Sequence, residues 1–281
     1  MNPGLDAVEE RVVNALKRLQ LPHLRETLPA LLSEAAREEL TYLDFLDRIL
    51  QREVDSKQGK RVRMGLQIAH FPSVRTLEEF NFSLQPSVDE RLIQELATGN
   101  FIAHGEAVLL FGPPGVGKTH LAIGIGRKVV ERGHTVRFTT ATALLSTLGK
   151  AESEGALTEK LTEFCKPRLL IIDELGYLPF ERRAAHLFFQ LVNRRYEKGG
   201  LLITTNQRVS EWGTVFGDEV LATAILDRLL HHSHTLMITG EIYRLREKRK
   251  SGLFRSGTPP ANPEPENQPS EAGRKPIGKS R

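Results

Sequence analysis

The sequence predicts an α/β fold, a parallel five-stranded sheet flanked by helices and preceded by a small helical domain. Three observations carry this expectation. From residue 101 onward, short apolar runs alternate with helical patterns, as in a parallel sheet whose faces are covered by helices. A glycine-rich run, Gly112-Pro113-Pro114-Gly115-Val116-Gly117-Lys118-Thr119, stands between an apolar strand and the start of a helix. A third run, 169–172, is wholly apolar and ends in adjacent carboxylates, Asp173 and Glu174. A strand buried on both faces by neighbouring helices reads in that way.

The chain has 281 residues, enough for one substantial core and a small extra domain. Hydrophobic content of 40% and charged content of 26% are those of a globular protein in water. No apolar run approaches the roughly 20 residues that a membrane helix needs. The N-terminus is acidic and amphipathic, unlike a signal peptide. A single cysteine, Cys165, excludes internal disulfides and fits a reducing cytoplasm; packing is its expected role.

Residues 1–70 are expected to form the N-terminal helical domain. Val8, Val12, Leu16 and Leu19 recur at helical spacing, and so do Leu43, Leu46, Ile49 and Leu50. Pro22 and Pro29 predict two or three short helices rather than one long one. Residues 71–100, with Phe71, Phe80 and Phe82 between Pro72 and Pro86, read as a connecting segment. The α/β domain then spans 101–256. Its strands are expected at Ala107–Phe111, Val136–Thr140, 169–172, 201–205 and 235–238, and its helices near 118–132, 156–165, 182–197 and 219–231. Gly133, Gly199 and Gly200 are placed to end helices. The tail, 257–281, is rich in Pro, Gly, Ser and charge and is expected to be disordered.

The glycine run is a complete phosphate-binding P-loop in its required strand–loop–helix setting. Its glycines let backbone N–H groups turn toward a phosphate, which the following helix N-terminus also attracts. Lys118 would reach the β/γ-phosphates of a nucleotide, and the Thr119 hydroxyl would ligate Mg²⁺. Asp173 lies 55 residues after Lys118 with one further strand between them, which marks 169–174 as the Walker B strand. Asp173 would hold the metal through water, and Glu174 would orient and activate the attacking water. The intervening strand separates the chain from a simple nucleotide kinase, in which the two motif strands are adjacent.

Further candidates follow. Asn206 ends the fourth strand, where an amide would sense the γ-phosphate or hold the lytic water. Arg228 lies on an amphipathic helix, from which it would reach the γ-phosphate of a neighbouring subunit. Arg194 and Arg195 compete for that role. Arg244 would contact nucleotide within its own chain. His231, His232 and His234 read as polar residues between a helix and a strand, and Trp212 as a packed aromatic.

Net charge is only +4, but it is unevenly spread. Residues 57–75 hold five basic residues (Lys57, Lys60, Arg61, Arg63, Arg75) and no acidic one. Residues 241–255 hold six basic against two acidic. Either stretch would serve to neutralise phosphates on a duplex or form a solvated face.

Six segments together resemble the IstB-like ATP-binding proteins: GPPGVGKTHLA, LLIIDELGYLPF, LVNRRYEKG, SEWGTVFGD, ATAILDRLLHH and GEIYRLRE. These are helper ATPases encoded beside the transposase of one class of bacterial insertion sequences. The resemblance implies an AAA+ P-loop NTPase core related to DnaC-type helicase loaders and to the initiator DnaA. It implies ATP and Mg²⁺ as cofactors, assembly of a homo-oligomer on double-stranded DNA, and stimulation of a cognate transposase. It places nucleotide binding on Gly112, Pro113, Pro114, Gly115, Val116, Gly117, Lys118, Thr119 and Asp173, with the adjoining His120 in the same set. It places catalysis on Glu174 and casts Asn206 as sensor I, Arg228 as a finger acting in trans and Arg244 as sensor II. Two other functions compete. A DnaC-like loader would grip a replicative helicase through its N-terminal helices, and a metabolic kinase would transfer phosphate to a small molecule.

Overall fold

A computed structural model describes residues 3–177 and 180–240, with side chains from residue 7 onward. The chain opens with three helices, α1 (Pro3–Arg18), α2 (Pro22–Arg37) and α3 (Tyr42–Ile68). Pro22 sits in the first turn of α2, where its missing N–H costs nothing. Pro29 lies inside the same helix without ending it, because Leu24, Leu28 and Leu31 hold both halves against the bundle. The N-terminus of α2 has no side-chain cap of its own; the buried Glu53 of α3 accepts the Leu24 N–H at 2.7 Å instead. Thr41 caps α3 by accepting the Asp44 N–H at 3.2 Å.

Helix α3 is 27 residues long, well past the short helices expected from sequence. Its second half docks on the α/β unit. There Gly65 lets it approach a later helix closely: a Cβ at this position would lie 2.8 Å from Val130 Cγ1. Arg61 fixes the same approach by donating to the Gly133 carbonyl at 2.7 Å.

Residues 71–100, expected as a connector, form part of the main core. Leu77, Phe80, Val88, Ile93, Leu96 and Ala97 are buried in one cluster with the sheet. This stretch includes α4 (Glu90–Ala97), and α5 (Asn100–Ala103) follows it. Beyond come β1 (Ala107–Phe111), α6 (Lys118–Glu131), β2 (Val136–Thr140), α7 (Ala141–Ser153), α8 (Leu157–Cys165), β3 (Leu169–Leu175), α9 (Arg182–Arg195), β4 (Gly200–Thr205), α10 (Trp212–Phe216), α11 (Glu219–His231) and β5 (Ser233–Met237).

The five strands are all parallel, in the order β2-β3-β4-β1-β5. The strand between the two motifs in sequence, β2, therefore goes to the sheet edge, and it is β4 that separates β1 from β3. Side chains alternate between faces. Val108 and Leu110 of β1 join α6 and the 69–103 region, while Ala107, Leu109 and Phe111 join the layer formed by α7 to α11. Trp212 is buried in that second layer against Phe111 and Phe216, as expected. Helix α7 lies where the sequence predicts no element. Thr140 caps it by accepting the Ala143 N–H at 3.2 Å, and Leu144, Leu145, Leu148 and Ala151 form its buried stripe.

Two side chains tie the upstream segment to the rest. Gln85, almost fully buried, donates to the Val116 carbonyl at 3.3 Å. Ser87 Oγ accepts the Thr239 N–H at 3.0 Å and donates to the Thr239 carbonyl at 2.9 Å, a clasp across 152 residues. No helix among the described residues is long and apolar enough to cross a membrane.

Candidate nucleotide-binding site

The C-terminal ends of β1, β3 and β4 deliver the candidate residues to one edge of the sheet, the edge at which open α/β sheets bind ligands. After Phe111 the chain turns through the P-loop into α6. Two of its glycines are required by close approach. Gly112 has φ of +150°, and a Cβ there would lie 2.2 Å from the Ile238 carbonyl oxygen. Gly117 has φ of +105°, and a Cβ would meet the Phe80 ring at 2.7 Å. Lys118 folds back over the loop, its Nζ donating to the carbonyls of Gly112 at 2.6 Å and Pro113 at 2.8 Å. Burial pushes the Lys118 ammonium below its ordinary pKa, while the charges of Asp173 and Glu174 pull it back up.

Asp173, 4% exposed, stands opposite the loop. The Thr119 hydroxyl donates to its carboxylate, with Oγ1 at 3.0 Å from Oδ1 and 3.1 Å from Oδ2. Thr204 of β4 donates to Oδ1 at 2.5 Å. The next residue, Glu174, is exposed and has φ of +61°. A non-glycine residue in that region is uncommon, and the conformation costs on the order of 1–2 kcal/mol. It coincides with a break in pairing, since Ile172 pairs with Ile203 but Leu175 pairs with Thr205. This is a β-bulge, which re-aims a side chain. Here it turns Glu174 into the cleft while Asp173 keeps facing Thr119.

The cleft, of about 270 Å³, is lined by Pro114, Gly115, Lys118, Thr119, Glu174, Tyr177, Thr204, Thr205 and Asn206. Lys118, Thr119, Glu174 and Asn206 are thereby brought together, with Asp173 immediately behind them. His120 does not line the cleft. Its Nε2 lies 2.8 Å from the Thr76 carbonyl oxygen, and its ring meets Phe80 edge-on at 5.3 Å. The α-helical period turns it to the upstream segment.

The arginines separate clearly. Arg195 is 2% exposed and donates to the carbonyls of Phe164, Pro167, Arg168 and Gly200 at 3.0, 3.1, 3.3 and 2.8 Å. Desolvation lowers its pKa to about 10. It knits the N-terminal ends of β3 and β4 together and has no reach to a neighbour, so it is no finger. Arg228 is half-buried on α11, donating to Asn193 Oδ1 at 2.9 Å and to the Ala224 carbonyl at 3.0 Å; its guanidinium also lies 5.0 Å from the Phe189 ring centre. It does not line the cleft of its own chain. Arg244 and the basic stretch 241–255 lie outside the described residues.

The cleft residues Tyr177, Thr204 and Thr205 have no place among the sequence-based candidates, and neither does Gln85, which braces the P-loop from behind. Thr204 carries only the weak signal of a polar residue in a buried strand, and Gln85 carries none. His231 and His232 stand at the end of α11, as expected; His231 Nδ1 lies 2.8 Å from the Tyr196 hydroxyl.

The family profile described as IstB-like ATP binding protein matches residues 14–251. The ATP-binding protein named for insertion sequence IS21 in Pseudomonas aeruginosa is 49% identical over 245 residues, 87% of this chain and 92% of that protein. The corresponding protein of insertion sequence IS5376 in Geobacillus stearothermophilus is 46% identical over 242 residues, 86% of this chain and 96% of the relative. Among solved structures, the replication initiator DnaA bound to AMPPCP and single-stranded DNA superposes with a TM-score of 0.51. It is 22% identical, and the match covers 67% of this chain and 58% of that one. That likeness extends to the fold alone, a parallel α/β sheet flanked by helices. With the family profile spanning most of its length and the P-loop and Walker B strand meeting at one sheet edge, the chain belongs to the IstB-like ATP-binding protein family.

Proposed function

We propose that this protein hydrolyses ATP, assembles as a homo-oligomer on double-stranded DNA, and assists a cognate transposase in selecting target DNA. The observation that carries the ATPase reading is the meeting of Thr119, buried Asp173 and exposed Glu174 in one cleft beneath the P-loop. The donor set of a threonine hydroxyl and a carboxylate, all oxygen, suits a hard divalent cation. Thr119 and Asp173 would hold Mg²⁺, which neutralises charge on the phosphates when bound.

The chain's own groups do the rest. P-loop N–H groups and Lys118 bind phosphate oxygens, and the partial desolvation of Lys118 strengthens that charge-assisted contact. Glu174 orients a water in line with the terminal phosphate and accepts its proton, with Asn206 beside it on the rim. Arg228 acts from a neighbouring subunit, stabilising charge that develops in the transition state, and Arg244 contacts nucleotide in its own chain. Residues 57–75 offer exposed Lys57, Lys60, Arg63 and Arg75 to DNA phosphates, while Arg61 is engaged by Gly133.

The relatives at 49% and 46% identity are named for insertion sequences, which supports a transposase over a replicative helicase as the partner. The sheet order, with β4 between the two motif strands, speaks against a simple nucleotide kinase.

Sedimentation with duplex DNA under ATP, ADP or no nucleotide tests this function, with Glu174→Gln run alongside. ATP-dependent assembly on DNA of any sequence is expected, and Glu174→Gln should hold that assembly while its hydrolysis falls at least about 100-fold. A protein that stays monomeric with ATP and duplex DNA would overturn the assembly reading. Rapid turnover by Glu174→Gln would overturn the role of Glu174.

A further inference from the structure

Strands β3 and β4 pair residue for residue from Leu169 with Gly200 to Ile172 with Ile203, and again at Leu175 with Thr205. Two residues, Asp173 and Glu174, therefore stand opposite one, Thr204. A bulge of this kind removes ladder hydrogen bonds. Here the loss is made good by a side chain: the Thr204 hydroxyl oxygen accepts the Glu174 N–H at 2.9 Å.

The direction of the second bond follows from chemistry. A hydroxyl has one proton and two acceptor lone pairs. The Glu174 N–H can only donate, so the hydroxyl proton is available to the carboxylate, and Asp173 Oδ1 receives it at 2.5 Å. Thr204 is 1% exposed, so bulk water has little access to replace either bond. One buried hydroxyl thus fixes the backbone of one acid and the side chain of the other.

We infer that Thr204 is a positioning residue for hydrolysis, holding Asp173 in its metal-facing orientation and Glu174 in the left-handed conformation that aims it at the cleft. Thr204 acts through these two acids. The inference rests on the reading of Asp173 and Glu174 as the metal-directed and water-directed carboxylates.

Thr204→Val keeps the shape of the side chain and deletes the hydroxyl; Thr204→Ser keeps the hydroxyl. For Thr204→Val, kcat should fall roughly 10–100-fold, the range seen when a partner orienting a metal ligand is removed. The Mg²⁺ concentration for half-maximal rate should rise several-fold, and nucleotide affinity without Mg²⁺ should stay within about threefold. Thr204→Ser should recover kcat to within about threefold of the parent. Independently of turnover, amide hydrogen exchange at Glu174 should be slow in the parent and in Thr204→Ser, and at least about tenfold faster in Thr204→Val.

Unchanged kcat and Mg²⁺ dependence in Thr204→Val would overturn the inference. So would a Thr204→Ser protein as slow as the valine variant, which would show that the methyl group matters. If Thr204→Val fails to fold, the serine variant and the parent's Glu174 exchange still decide. A parent protein that does not hydrolyse ATP would sink the functional reading, while protection of the Glu174 amide would continue to test the hydroxyl's structural role.

Discussion

The two ends of the sheet each hold a desolvated cation that donates to backbone carbonyls, yet they use it in opposite ways. At the C-terminal end, Lys118 donates to two carbonyls in an open cleft and has a third N–H to spare. At the N-terminal end, Arg195 donates to four carbonyls and is closed off from water. Burial lowers both pKa values. A desolvated cation that faces an open cleft is a binding group; one committed to four carbonyls and shut away from water is a strut. Both side chains carry one positive charge; what separates the two ends is access to water and the number of carbonyls that each cation already holds.

Substitutions at the two ends should therefore separate affinity from stability. The largest effect is expected for Lys118→Ala, which should weaken ATP binding by at least about 100-fold, measured by calorimetric titration. Its unfolding free energy should change by less than about 1 kcal/mol, because water in the open cleft can take over the Gly112 and Pro113 carbonyls that the ammonium serves. A large loss of stability would break the comparison. Arg195→Met should do the reverse. Four carbonyls are then deprived of a charged donor and some stay buried without a partner, so denaturant unfolding should show a loss of about 3–5 kcal/mol. ATP affinity of the folded fraction should stay within about threefold.

A smaller effect sharpens the contrast by moving away from both ends. Glu53→Ala removes the carboxylate that caps α2 from α3 and should cost about 1–2 kcal/mol. The loss should appear as faster hydrogen exchange confined to α1, α2 and the first half of α3, with ATP binding unchanged. Acceleration that spread into β1 or α6 would show that the bundle and the sheet unfold as one unit.

Much of the sheet is legible in the sequence because a parallel strand buried on both faces is a short, uninterrupted apolar run. The strands β1 and β2 lie at their expected bounds, and the P-loop and Asp173 meet as expected. What escapes has weaker local signals. Helix α7 is built mostly from Ala, Ser, Thr and Leu with Gly149 inside it, so its stripe of Leu144, Leu145 and Leu148 stands out poorly. Residues 71–100 are punctuated by prolines and turns, and only their tertiary burial shows that they belong to the core. Strand β3 runs past its apolar residues because the bulge lets it re-pair at Leu175, and no side-chain pattern announces a bulge. Among Arg194, Arg195 and Arg228, sequence offers three equivalent guanidinium groups. Burial alone removes Arg195 from the candidates for a trans-acting finger.

The clasp between Ser87 and Thr239 fastens the segment ahead of the sheet to the residues just after β5. That fastening bears on where the α/β unit can be cut from the chain. A fragment begun at residue 101, just ahead of the first strand, would leave behind Leu77, Phe80, Ile93 and half of the clasp, whereas one begun near residue 69 keeps these and gives up Val62 and Leu66, which pack on the same core from α3.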